Sequence, residues 1–164
     1  MNISDSIRKS IVIGLVLLIV LGLITAFVKA KKQNEAFQVE SLYYNEVVQR
    51  VQDGNYADAL EVSKSLEASQ KSSEPVNYII AVAAVNAGDI EKGLMHMQRT
   101  LDINPHRVED AFFMLQYAEF LVMGDRKEDA TKVLERCALL PTPEEYPQYQ
   151  ERIVELQEQI AIQS

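Results

Sequence analysis

Two histidines, one cysteine and a few adjacent carboxylates are the residues of this 164-residue chain whose types could do chemistry. A catalytic or structural metal needs ligands grouped on one face, and His96 and His106 lack that spacing. His96 is expected on an exposed helix face, and His106 follows Pro105 in a loop. The pairs Glu109-Asp110, Glu128-Asp129 and Glu144-Glu145 could in principle share a proton, but on helices and turns such pairs are solvated faces and caps. Cys137 lies one helical turn beyond Val133 and Leu134, on an apolar seam, and reads as a small core residue. A lone cysteine forms no internal disulfide and so fits either redox compartment. A phosphate-cradling glycine loop and a strained nucleophile turn are both missing. No catalytic residue, no metal site and no cofactor is therefore expected, and the chain reads as a binding protein rather than an enzyme.

The elements that carry these residues repeat. Gly54-Asn55-Tyr56-Ala57-Asp58-Ala59-Leu60 matches Gly88-Asp89-Ile90-Glu91-Lys92-Gly93-Leu94. Gly124-Asp125-Arg126-Lys127-Glu128-Asp129-Ala130 matches both once one inserted residue is allowed. The glycines at 54, 88 and 124 stand 34 and then 36 residues apart, and Pro105 and Pro141 are also 36 apart. A glycine at a helix end takes a left-handed backbone without steric cost, so the chain reverses and an Asn or Asp caps the next helix. Ala59, Gly93 and Ala130 are small where two helices would cross closely. Gly93 would cost about 1 kcal/mol against alanine in a helix interior, so close approach must compensate. Pro105 stops the helix before it. Leu94, Met97 and Leu101 follow the 3–4 spacing of a helix with one buried side.

This pattern resembles the tetratricopeptide repeat family, over roughly residues 40–141. The unit from Asn77 to Pro105 fits best, with Ala81, Gly88, Ile90, Gly93 and Asn104-Pro105 at the motif positions. The resemblance implies an all-α array of about three helix hairpins over 41–141. Residues 142–164 are expected as a capping helix, starting near Thr142-Pro143 and carrying a stripe of Ile153, Leu156 and Ile160.

The resemblance also implies a concave groove lined by the first helix of each unit. Carried over by position, its residues are Tyr44, Val48 and Val51, then Tyr78, Val82 and Val85, then Met114, Ala118 and Leu121. The family's carboxylate-clamp branch needs Lys, Arg and Asn at such positions, and they are missing. Two fillings of so apolar a groove stay open. One is an extended or amphipathic partner segment. The other is the chain's own linker or last helix, or a second copy.

The other compositional signal is at the start. Residues 11–28 are uncharged, and at ~1.5 Å per residue they reach about 27 Å, close to the hydrocarbon thickness of a bilayer. They are expected to cross it, with a tail over 1–10 and a basic linker over 29–40. A cleaved leader is disfavoured by the length of the run and by Lys29 at the small-residue site. Residues 1–32 carry net +4 and the rest net −12, which sum to the chain's −8. So acidic a domain argues against nucleic-acid partners. The expectation is a membrane-anchored, single-pass scaffold or assembly factor that contacts lipid through 11–28 and protein partners through its groove, with self-association open. The alternative is a structural subunit held by its membrane helix. Similar single-span repeat proteins serve bacterial envelope machinery, so the resemblance implies an inner-membrane location. Arg8 and Lys9 against Lys29, Lys31 and Lys32 slightly favour a cytoplasmic domain. An extracytoplasmic repeat domain is preferred against that bias.

Overall fold

The computed structural model describes residues 5–162, and within them the side chains of 5–18, 20, 21, 34 and 36 lie outside the description. All regular structure among the described residues is helical. It comprises α1 (Asp5–Gln52), α2 (Tyr56–Ser69), α3 (Glu74–Asn86), α4 (Ile90–Ile103), α5 (Ala111–Met123), α6 (Lys127–Ala138) and α7 (Tyr149–Ile162), with a 3-10 turn at Pro105–Glu109. Two compact units divide the chain, Met1–Leu42 and Tyr43–Ser164. The first holds most of α1. The second is the helix array.

The expected membrane crossing over 11–28, and the inner-membrane location and lipid contact built on it, are corrected. Among the described residues no helix is long and apolar enough to cross a membrane. Lys29, Lys31 and Lys32 follow residues 11–28, and α1 continues without a break through 29–40. The side chains of 11–18, 20 and 21 lie outside the description, as do residues 1–4.

Within the array, three turns share one hydrogen-bond pattern. Gly54 N–H donates to Val51 O (3.1 Å) and Asn55 N–H to Arg50 O (2.8 Å). The same pairs recur as Gly88 to Val85 (3.0 Å) with Asp89 to Ala84 (2.8 Å), and as Asp125 to Val122 (3.1 Å) with Arg126 to Leu121 (2.9 Å). This is the Schellman closure, which needs one left-handed residue. Gly54 (φ 74°) and Gly88 (φ 92°) supply it in two turns, and Asp125 (φ 54°) in the third. Gly124 is thus not the turn residue. A Cβ there would sit 2.9 Å from Leu94 Cδ1 and 3.1 Å from Ile90 Cγ2, so it is a point of close approach to α4. Counted from the left-handed residue, the small positions Ala59, Gly93 and Ala130 align with no insertion.

Small residues let neighbouring helices touch. Ala59 and Ala130 are fully buried. A Cβ on Gly93 would meet Val85 Cγ2 at 2.2 Å and Ala81 O at 3.1 Å. Helix α3 is packed on two sides: Val76, Ile80 and Ala83 join Val47, Ala59 and Leu66 in one cluster. Ala81 and Val85 join the larger cluster built from α3 to α7. Helix α7 begins at Tyr149, beyond Pro147, rather than near Thr142-Pro143. It buries Tyr149, Ile153 and Leu156 in the larger cluster, and Ile160 packs against that cluster.

Candidate functional site: an aromatic groove beside a buried polar network

Helix α5 is apolar almost all round (AFFMLQYAEFLVM), because neighbours cover most of its circumference. Its face at 112, 116, 119 and 123 is the one left open. There Tyr78, Phe112, Leu115, Gln116, Glu119 and Tyr146 line a shallow cavity of about 310 Å³. Phe112, half-exposed, stacks on Tyr146 with ring centroids 6.3 Å apart. The Tyr78 hydroxyl donates to Gln116 Oε1 at 2.6 Å, and burial pushes its pKa up. Arg107 lies over the Tyr78 ring, 5.6 Å from its centroid, and pairs with Glu74 at 2.8 Å, tying the start of α3 to the 3-10 turn.

A second open cavity of about 370 Å³ shares Gln116 and Glu119 with the first, so the two form one groove. Its further walls are Asn86, Met123, Arg152 and Gln159. Arg152 donates to Glu119 at 2.8 Å and to Glu155 at 2.9 Å, which fastens α7 to α5.

The carried-over positions fall mostly elsewhere. Val85, Met114, Ala118 and Leu121 are buried in the larger cluster. Tyr44 and Val51 pack against the smaller cluster, Val82 packs against the larger, and Val48 is half-buried. Of the six positions in units two and three, Tyr78 alone lines the first cavity. Phe112, Leu115, Gln116, Glu119 and Tyr146 were missed. A signal existed: Gln116 and Glu119 interrupt an apolar helix three residues apart, and polar residues mark its solvent side.

His96 is buried, not exposed. Asn77, also buried, donates its amide hydrogens to Lys71 O (3.0 Å) and Ser73 O (2.8 Å). Its Oδ1 therefore faces His96 Nδ1 at 2.9 Å, which makes Nδ1 the proton-bearing nitrogen. His96 Nε2 has no hydrogen bond and lies 3.4 Å from Glu67 Oε1, while Lys92 holds the other Glu67 oxygen at 2.9 Å. Burial lowers the His96 pKa, and Glu67 only partly opposes this. Cys137 is fully buried, and burial raises its thiol pKa.

No family model matches the chain, and no curated protein matches it. Solved structures do. The Yersinia enterocolitica type III secretion translocator chaperone SycD aligns with TM-score 0.62 at 16% identity, covering 75% of this chain and 83% of its own. SycD in complex with a peptide of the translocator YopD aligns with TM-score 0.61 at 16% identity, covering 75% and 92%. The MamA RS-1 ArsTM double mutant aligns with TM-score 0.50 at 19% identity, covering 73% of this chain and 56% of that one. The chain has a tetratricopeptide-like fold. At such identities the likeness is one of architecture alone, an array of helix hairpins.

Proposed function

We propose that this protein is a protein–protein interaction scaffold that holds a short segment of a partner in the groove over Tyr78, Phe112, Leu115, Gln116, Glu119 and Tyr146. The observation that carries this reading is Phe112, a phenylalanine 49% exposed on the open face of a mostly buried helix, stacked on Tyr146 at a cavity that both line. Aromatic rings bring large contact area at low conformational cost, which suits them to anchoring a partner. The peptide complex of SycD, a protein of similar fold, supports the use of such an array for holding a segment. The groove's one carboxylate, Glu119, is engaged by Arg152 rather than presented to a substrate, which favours binding over catalysis.

Selection of a random peptide display library on the purified protein tests this. Enriched peptides should bind the native chain and lose at least about ten-fold in affinity to Phe112→Asp and Tyr146→Asp, the effect of removing anchor residues. Circular dichroism should report unchanged helix content. Peptides that bind both variants as well as the native chain would refute the groove.

A further inference from the structure

We propose that the groove grips the main chain of an extended, uncharged partner segment, with Gln116 donating to a peptide carbonyl and Asn86 accepting from a peptide N–H. This rests on the groove reading above. The ground is two side-chain amides, each held at one end only. The Tyr78 hydroxyl occupies Gln116 Oε1 at 2.6 Å, and among the described residues the Gln116 amide nitrogen has no partner. Asn86 lies 2.8 Å from Val82 O, and a carbonyl only accepts, so the nitrogen Nδ2 faces it. Asn86 Oδ1 is then an acceptor with no donor among the described residues. Both residues line the second cavity, and Gln116 joins it to the first. One fixed donor and one fixed acceptor thus share the same open space.

These two groups separate the forms a partner segment could take. A helix satisfies its own main-chain groups and brings only side chains to a groove. An extended segment carries an N–H and a C=O at every residue, and a groove that buries them must supply partners. Amides do so without a charge. The charged residues that line the two cavities, Glu119 and Arg152, hold each other at 2.8 Å. A charged partner side chain would lose water there and gain no counter-ion, so the segment over the groove is uncharged.

The peptides from the library selection are the probe. Their affinity should fall about three- to ten-fold in Gln116→Glu, which keeps the acceptor for Tyr78 and removes the donor. Asn86→Leu should lose as much, and Asn86→Asp, which keeps an acceptor, should lose less. Methylating the peptide's amide nitrogens one at a time should find one position that weakens binding to the native chain and has no effect in Asn86→Leu. A residue that merely shaped the groove would not abolish the penalty at a single peptide nitrogen. Affinity should change less than about two-fold between low and high salt, because no ion pair forms. Circular dichroism of the complex should show no helix beyond that of the protein alone.

Peptides lost in Phe112→Asp that bind Gln116→Glu and Asn86→Leu as well as the native chain overturn the amide grip and leave the groove standing. A gain of helix in the complex overturns it likewise, as does an affinity that falls about ten-fold with salt. If no peptide is enriched, both readings fall. A dimer in light scattering that Phe112→Asp makes monomeric assigns the groove to a second copy, and the proposal falls.

Discussion

The junction of α2, α3 and α4 and the junction of α5, α6 and α7 have the same architecture and opposite chemistry. In the first, a buried layer of Ser63, Asn77, His96 and Thr100 lies among the apolar contacts. Asn77 ties α3 to the preceding loop and to α4, and Glu67 joins from α2. In the second, Leu134, Cys137, Tyr149 and Ile153 close the same space, and the Tyr149 hydroxyl donates to Cys137 O at 3.1 Å. One backbone plan thus tolerates either solution. Polar packing demands that every group find a partner, and apolar packing demands only shape.

The largest effect should come from the apolar side. Leu134 is fully buried, so Leu134→Ala should cost about 2–5 kcal/mol through lost contacts and a cavity. Denaturant unfolding followed by circular dichroism measures it. On the polar side, Asn77→Ala strands His96 Nδ1 and the Lys71 carbonyl, while Ser73 O keeps the residue 77 backbone N–H, and about 1–3 kcal/mol is expected. A larger loss for Asn77→Ala than for Leu134→Ala would invert the comparison.

Next is the crossing of α3 and α4. Gly93→Ala improves helix propensity by about 1 kcal/mol, yet its Cβ would overlap Val85 Cγ2. Overpacking of this kind costs about 1–3 kcal/mol, so a net loss is expected. Val85→Ala should recover part of it, giving a double variant more stable than the sum of the single changes. Strict additivity would mean that the two side chains do not meet.

The junctions should also part company with pH. His96 has a folded pKa below its ordinary 6.5, chiefly because burial disfavours the imidazolium. Below about pH 6.5 the unfolded chain binds the proton and the folded chain resists it, so stability falls as pH drops through that range. The network's contribution is fully present above that pH. Glu67, whose pKa is lowered first by Lys92, titrates below its ordinary 4.5 and does not interfere. Thermal melts from pH 8 to 5.5 should show a decline in the native chain that His96→Leu removes. An equal decline in both would place the titration elsewhere.

The repeat period, the small crossing residues and the all-helical plan were legible because each follows from local backbone or steric needs. Gly88 and Gly93 announce a turn and a contact whatever surrounds them. The groove was less legible. On α5, faces that differ by one residue are rotated by about 100°, and apolar residues occupy nearly all of them. Only the tertiary neighbours decide that Met114, Ala118 and Leu121 turn inward and Phe112 outward. His96 misled for a related reason. A polar residue on an amphipathic helix reads as exposed unless its partners, here Asn77 nineteen positions earlier and Glu67, are known.

The smallest expected effect concerns the third turn. Asp125 holds a left-handed backbone that glycine holds in the other two. Aspartate visits this region more readily than most residues but still pays a steric cost that glycine avoids. Asp125→Gly removes the cost and loosens the unfolded chain, two opposed terms, so a gain of about 0.5 kcal/mol is expected. Gly88→Asp runs the exchange in reverse and should lose about 1 kcal/mol, since its φ of 92° lies farther from the left-handed minimum near +57°. The pair separates backbone strain from side-chain contact. No atom would lie within 4 Å of a Cβ added to Gly88, so a loss there is conformational. If Gly88→Asp is neutral, the Schellman geometry is not what fixes that glycine, and the repeated turn loses its physical explanation.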